Sequence, residues 1–342
     1  TSADSGNVRD GTDPDTRLEP PKVTPAKDTF VQTLAGSNVR GGADGVGAGA
    51  LFSNPVGVHV DANGDLLVTE YDGGRLRKIA QAGATSTLAD GLLEAFASVA
   101  TEDAIYVQTD RDKNGDKGPN TGTIWKVPIA GGAPEVFVEG LGRPRGLGRL
   151  PDGRVVVSDR IRNALFLLDL ATKVMTPLAG SGVPGFRDGR GAGAMFNDPY
   201  GVAVLPDGNV LVAEANNHVI RKVTLEGDVS VFAGDGKPGM TDDPDKLKAR
   251  FDGPVDVAVD VAGNVFVSDG GNHRIRRISS DGVVETVAGD GTRGFADGVG
   301  ATAKFYGQEQ VDVMPDGKTI YVSDGNGGDD QPFHRIRKIS VP

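Results

Sequence analysis

An internal repeat constrains the fold of this chain more than any other feature of the sequence. Three stretches have equal length and one pattern: PVGVHVDANGDLLVTEYDGGRLRKI (55–79), PYGVAVLPDGNVLVAEANNHVIRKV (199–223) and PVDVAVDVAGNVFVSDGGNHRIRRI (254–278). Each contains an apolar strand, a short turn that ends in glycine, a second apolar strand, a polar turn and a third strand. A fourth strand follows each of them, at 86–91, 229–236 and 284–291. Four-stranded units that recur in this way are typical of β-propeller blades.

Further units bring the number of blades to six. Residues 144–168 and 309–325 match well, and 96–110 matches more weakly. The last unit stops after its third strand, at 334–342, whereas residues 29–36 resemble an isolated fourth strand. We therefore predict an all-β fold, a six-bladed β-propeller over 29–342. Its N-terminal strand pairs with the C-terminal blade and so removes an open sheet edge.

The repeated motifs resemble the NHL repeat. They are P-x-G-V-A-V in the first strand, D-G-N-V-x-V in the second, and N-H-x-I-R-K/R in the third. The resemblance covers the chain from residue 29 onward and implies the propeller fold. It implies no single function, because similar propellers act as interaction platforms, lyases, lactonase-like hydrolases and RNA binders.

Composition narrows the classes of partner. The net charge of −11 and the pI near 4.9 argue against binding to nucleic acid, which requires a basic surface. The sequence has no cysteine and no apolar run long enough to span a bilayer. We also expect a monomer.

Residues 1–28 are polar and rich in proline, and are predicted to form a disordered tether. Such a tether is typical of a mature bacterial surface lipoprotein or secreted protein, so we expect an extracytoplasmic location, with a lipid anchor as one form of it. An ordinary flexible terminus is the alternative.

Turns and loops divide between the two faces of such a ring. The turns between first and second strands and between third and fourth strands are short and share the lower face. The connections between blades and the second-to-third-strand loops share the upper face, where functional loops are expected. Four long connections there each end in a phenylalanine that is predicted to pack between blades: 36–52, 180–196, 234–251 and 289–305. Blades one and two lack such an exit connection, so we expect a low side there.

Recurring polar residues have both a structural and a functional interpretation. The aspartates of the long connections are interpreted as turn-forming residues, and the alternative is a shared rim of carboxylates: Asp44, Asp188 and Asp297. Histidines of the third-strand turns are expected to bond a nearby carboxylate rather than a metal: His218, His273 and His334. Arginines of the third strands are expected to be solvated and ion-paired: Arg221, Arg276 and Arg337.

The stretch DRDKNGDKG, in the second-to-third-strand loop of blade two, has the spacing of a calcium loop. Alternating acidic or amide side chains before a glycine let a short loop supply several oxygens to Ca²⁺. The predicted ligands are the side chains of Asp110, Asp112 and Asn114 and the backbone carbonyl of Asp116. Thr121 stands where a helix-loop-helix site has its glutamate, and nearby lysines reduce the negative charge. The alternative is a polar turn.

Departures from the repeat at the first strands suggest a cluster at the mouth of the central channel. Small residues of the other blades are replaced there by polar ones in blades five, six and one: Asp256, Glu309, Gln310, Asp312 and His59. Arg145 and Tyr200 are expected to stand across from them. One interpretation is a ligand or second cation site. The other is a simple pair between Asp312 and His59 in a water-filled channel.

Two hypotheses of function follow. The first is an extracytoplasmic binding platform that holds a protein, peptide or glycan on the upper face, with a structural calcium in blade two. The alternative is a metal-dependent lactonase-like hydrolase or lyase at the channel mouth. Similar lactonases hold calcium with glutamate, asparagine and aspartate at the starts of the inner strands, and here the asparagines are missing.

Overall fold

The computed structural model describes residues 28–325 and 333–342, which form a ring of six antiparallel blades. The predicted tether at 1–28 lies outside these ranges except for residue 28. Blades one and two comprise Pro55–Val60, Leu66–Glu70, Arg75–Ile79 and Ala84–Asp90, then Ala95–Ala100, Ala104–Thr109, Gly122–Pro128 and Glu135–Leu141. Blades three and four comprise Pro144–Arg149, Val155–Asp159, Ala164–Leu168 and Met175–Ala179, then Pro199–Val204, Val210–Glu214, Val219–Val223 and Asp228–Ala233. Blades five and six comprise Pro254–Val259, Val265–Asp269, Arg274–Ile278 and Val284–Ala288, then Gln308–Val313, Thr319–Asp324, His334–Ser340 and Phe30–Ser37.

The ring closes as predicted. Strand Phe30–Ser37 pairs antiparallel with His334–Ser340, with Val31 opposite Ile339, and supplies the fourth strand of blade six, outside which the short strand Gly298–Val299 pairs. The pairing joins the two chain ends through a full strand of backbone hydrogen bonds, so blade six has no open edge at this position. Within the described ranges, no helix combines the length and the apolar character needed to cross a bilayer.

The hydrophobic core lies between neighbouring blades. One cluster, for example, joins Leu211 and Ile220 of blade four to Val257 and Val267 of blade five. The phenylalanines that end the four long connections are fully buried, as predicted: Phe52, Phe196, Phe251 and Phe305. A buried phenylalanine contributes about 1.5–3 kcal/mol through the area it removes from water, so each connection is anchored at its end.

The third-strand arginines are buried, which corrects the prediction that they are solvated. Arg221 is fully buried and its guanidinium bonds Glu214 at 2.8 Å and Asp188 at 2.6 Å. Its charge also lies 5.5 Å from the centre of the Phe196 ring. The same arrangement recurs in blades one, five and six, at Arg77, Arg276 and Arg337. A guanidinium can be buried here because two carboxylates and backbone carbonyls use its donors.

These contacts also settle the role of the aspartates in the long connections. Asp44, Asp188 and Asp297 each bond the buried arginine of the blade that follows, and Asp242 does the same in the fourth connection. In blades two and three the arginine position is occupied by Trp125 and Phe166. The connections before these blades are only 91–94 and 142–143, so the upper face has the low side that the sequence predicts.

The recurring histidines stabilise the junctions between blades. His334 Nδ1 accepts the backbone N–H of Asn54, and His218 Nδ1 accepts that of Gly253, both at 3.1 Å. Asn163 takes this position in blade three and accepts the N–H of Asp198. His218 Nδ1 also lies 3.3 Å from Asp252 Oδ1, so the carboxylate beside it is that of Asp252 and not that of Glu214, whereas His334 bonds the Asn54 N–H rather than Asp324. Glu214 and Asp324 instead bond the arginines and the start of their own blade's inner strand.

Candidate functional site

Three side chains from the second positions of the inner strands pack together at the upper end of the channel. Arg145 lies over the Phe96 ring at 4.4 Å and 5.8 Å from the centre of the Tyr200 ring. Phe96 and Tyr200 meet edge to face, with 5.5 Å between ring centres. Stacked aromatic and guanidinium groups lose little freedom on packing, so this plug of Phe96, Arg145 and Tyr200 is rigid.

Asp110 holds the plug in place. Both of its carboxylate oxygens accept hydrogen bonds from Arg145, at 2.6 and 2.9 Å, and the Tyr71 hydroxyl donates a further one at 2.9 Å. Burial alone would raise the pKa of Asp110, but the hydrogen bonds and charge of Arg145 outweigh it and hold the pKa below its usual value. Asp110 is therefore ionised at neutral pH and neutralises Arg145.

This contact bears directly on the predicted calcium loop. The Asp110 carboxylate turns inward to Arg145, whereas Asp112 Oδ1 accepts the backbone N–H groups of Asn114 and Asp116 at 2.8 and 2.9 Å. Within 28–325 and 333–342, no group of three or more histidine, aspartate or glutamate side chains is placed to hold a metal ion. The Asp110 carboxylate is thus occupied by Arg145 and Tyr71, and calcium binding by Asp110, Asp112, Asn114 and Asp116 stays a prediction.

Gln310 closes the channel just below the plug. Its Nε2 lies 3.5 Å from the carbonyl oxygen of Arg145, which belongs to the blade opposite. A Cβ on Gly57 would lie 3.0 Å from Gln310 Oε1, so the amide also approaches blade one closely. Gln310 and the plug therefore separate the lower channel from the space above them that the long connections surround, the upper depression.

A cavity of about 300 Å³ lies below Gln310 and opens toward the lower face. Inner strands of all six blades line it, mostly with alanine, valine and glycine. Its polar lining residues are His59, Ser98, Arg149, Asp256, Gln310 and Asp312. Four of the seven residues predicted at one mouth thus belong to this lower cavity. Arg145, Tyr200 and Glu309 stand above it.

His59 and Asp312 form a pair, with 3.3 Å between Nδ1 and Oδ2. Asp312 also accepts backbone N–H groups from Val60 at 2.7 Å and Val313 at 2.8 Å, so its carboxylate is fixed. No hydrogen bond from the described residues occupies the other imidazole nitrogen of His59, which is available for contacts in the cavity. A histidine oriented by a carboxylate is a usable general base.

Asp256 is buried in the same cavity, and no lysine or arginine of the described ranges pairs with it. Its Oδ2 accepts the N–H of Val311 at 3.0 Å. Burial raises its pKa well above the usual value, and the charges of Asp312 and Glu309 act in the same direction. Gly201 is required beside it, because a Cβ there would lie 2.6 Å from Asp256 Cγ.

Glu309 faces the plug from blade six. Burial raises its pKa to about 7, against the opposing effect of the charges of Arg145 and Arg160. Burial also raises the pKa of Tyr200, and the charge of Glu309 contributes. Glu309 therefore changes charge near neutral pH, next to the floor of the upper depression.

A second cavity, of about 280 Å³, lies on the upper face between blades three and four, beside the plug. Its polar lining includes Arg143, Arg160, Asn197 and Asp198. The repeat pattern did not point to these residues, because they lie in loops whose relation depends on how the two blades pack. The only sequence signal is the short connection before blade three, which leaves this region uncovered.

The blades and their closure define a six-bladed β-propeller. The family model of the NHL repeat matches residues 196–222 and 251–278, in blades four and five, and so identifies NHL repeats in this chain. The chloroplastic protein SUPPRESSOR OF QUENCHING 1 of Arabidopsis thaliana is 36% identical over 85 residues, which is 25% of this chain and 8% of the relative. NHL repeat-containing protein 2 of Homo sapiens is 29% identical over 133 residues, 36% of this chain and 18% of the relative. The chain thus matches less than a fifth of either relative.

Solved structures of low sequence identity share the fold. A structural genomics protein from Bacteroides thetaiotaomicron VPI-5482 has a TM-score of 0.74 at 22% identity, over 92% of this chain and 76% of that one. An auxiliary nutrient binding protein from the same organism has a TM-score of 0.71 at 20% identity, over 92% and 76%. A gluconolactonase from Xanthomonas campestris has 0.61 at 14%, over 95% and 96%. At these identities the likeness concerns the fold alone.

Proposed function

We propose that this protein is an extracytoplasmic binding platform that holds its ligand in the depression of the upper face. The observation that carries the proposal is the contact of Gln310 Nε2 with the Arg145 carbonyl of the opposite blade, which gives this depression a floor. Gln310 and the plug form its floor, and the buried arginines anchor the long connections that form its walls. A preformed concave surface binds with little loss of conformational entropy.

Exposed apolar side chains on the upper loops support this proposal. Large hydrophobic residues are usually exposed singly, but here several occupy loops of the same face. They are Val39, Leu93, Ile161, Val183, Phe186 and Met240. They offer contact area to a peptide or to the apolar faces of a glycan. The extracytoplasmic location is proposed from the polar N-terminal sequence and from the likeness to a nutrient-binding protein.

Matched surface variants test the platform. We expect binding to an array of peptides and glycans to weaken at least severalfold in Phe186→Ser and Met240→Ser. Val261→Ser is the control, because Val261 is 74% exposed but lies on the lower face. Ligands that respond to Val261→Ser and not to the upper variants would contradict the proposal. Fractionation of cells that express the natural gene tests the location.

The alternative, a hydrolase or lyase, is favoured by one specific observation. The lower cavity combines the oriented pair of His59 and Asp312 with Asp256, whose raised pKa favours the protonated acid. A base and an acid in one cavity are suited to proton transfer. Turnover of a lactone panel that is lost in His59→Asn and Asp256→Asn, and kept in Phe186→Ser, would favour this function over the platform.

A further inference from the structure

The cavity between blades three and four contains an arginine with unused donors. Arg143 Nε lies 3.4 Å from Asp110 Oδ2, an oxygen that already accepts from Arg145 and Tyr71. The terminal nitrogens of Arg143 make no hydrogen bond to other residues of the described ranges, and its side chain is 30% exposed. A guanidinium in this state offers two parallel donors to an incoming carboxylate.

The charged side chains that line the cavity have a net charge of +1. Arg143 and Arg160 contribute two, and Asp198 removes one. Asp198 is committed to Arg160, which donates to both of its oxygens at 2.6 and 2.9 Å. Arg160 is also stacked 5.1 Å from the centre of the Tyr200 ring, so its position is fixed. A local positive site in a chain of net charge −11 selects a small anion over a large acidic one.

Amide side chains complete the lining. Asn216 Nδ2 donates to Asn197 Oδ1 at 3.4 Å, which leaves the Asn197 amide donor and the Asn216 carbonyl for a ligand. Asn163 is held in place by its bonds to the Asp198 N–H and the Ile161 carbonyl. Amides both donate and accept, so they suit vicinal hydroxyl groups. Ile161 and Pro184 add an apolar wall.

We propose that this cavity binds a monoanionic, polyhydroxylated small molecule, a sugar acid. Its carboxylate lies against Arg143, and its hydroxyls bond Asn197 and Asn216. The cavity volume of about 280 Å³ accommodates one sugar ring with its substituents. The inference deepens the proposed function, on which it rests, by naming a ligand class for one part of the upper face.

Calorimetric titration of the full chain with three probes tests this site: D-glucuronate, D-glucose and acetate. Glucuronate is expected to bind most tightly. Loss of a hydrogen bond to a charged group weakens binding roughly tenfold to hundredfold. We expect this decrease for glucose relative to glucuronate, and for glucuronate binding to Arg143→Gln. Asn216→Ala is expected to weaken glucuronate severalfold without changing acetate. Arg149→Gln, an exposed arginine at the lower cavity, is the matched control and keeps full affinity.

The outcomes separate this inference from the proposed function. The sugar-acid site is overturned if glucose or acetate binds as tightly as glucuronate. It is also overturned if Arg143→Gln binds glucuronate with full affinity. If the sugar-acid site fails but binding of the array ligands still depends on Phe186 and Met240, the proposed platform function is retained without that site. If Arg143→Gln does not fold, the Asn216→Ala comparison of glucuronate with acetate decides alone.

Discussion

Replacement of Arg221 by methionine tests whether the buried arginines hold the propeller together. Arg221 is fully buried, and its loss leaves Glu214 buried with no cation. Glu214 keeps its bonds from the Asn197 N–H and the Asn217 amide, whereas Asp188 is half exposed and can be solvated. The loss of Arg221 therefore destabilises mainly the buried carboxylate of Glu214.

Removal of one partner from a buried ion pair costs about 3–5 kcal/mol of unfolding free energy. Burial already raises the pKa of Glu214 to about 7 with Arg221 present, and loss of the arginine raises it further. A raised pKa in the folded state means that stability falls as pH rises from the unfolded value toward the folded one. The loss of unfolding free energy in Arg221→Met is therefore larger at pH 8 than at pH 5. Each unit by which the pKa of Glu214 rises further, up to pH 8, adds about 1.4 kcal/mol to this difference.

Urea unfolding at pH 5 and pH 8, followed by circular dichroism, measures this loss. Lys222→Met is the matched control, because Lys222 pairs with Asp207 at the surface and is expected to contribute less than about 1 kcal/mol. The double variant Arg221→Met/Glu214→Gln removes the stranded charge and should recover much of the loss at pH 8. If Arg221→Met stays within about 1 kcal/mol of the wild type at pH 8, the ion pair does not stabilise the blade.

Three further predictions concern the channel and the blade-two loop. Because burial raises the pKa of Glu309 to about 7, stability should fall as pH rises from about 4.5 to 7, and Glu309→Gln should flatten this slope while the exposed Glu226→Gln does not. Gly201→Ala should lose about 1–3 kcal/mol of unfolding free energy, because its Cβ meets Asp256, whereas Gly193→Ala, with open space around it, should lose little. Elemental analysis after dialysis should find one calcium per chain that is lost in Asp112→Ala/Asn114→Ala and kept in Asp169→Ala; no calcium at millimolar concentration would contradict the loop prediction.

The sequence by itself determined the six blades, the strand order and the closure of the ring. These follow from local patterns, because alternation of apolar residues and glycine turns repeat in register along the chain. The pairing of 29–36 with the last blade also follows from counting strands. The burial of the connection phenylalanines was predictable for the same reason, since each recurs at one position of the repeat.

Only the tertiary structure decided which polar residues meet. The sequence pattern predicts that Arg221 is exposed to solvent. In the structure, the long connection from the preceding blade covers Arg221 with Asp188 and Phe196. Asp110 has the spacing of a calcium ligand, but blade three brings Arg145 within 2.6 Å of it. Charged side chains take their role from partners far away in sequence, and those partners are set by how blades pack around the ring. A repeat therefore predicts the scaffold, whereas the site depends on contacts between blades.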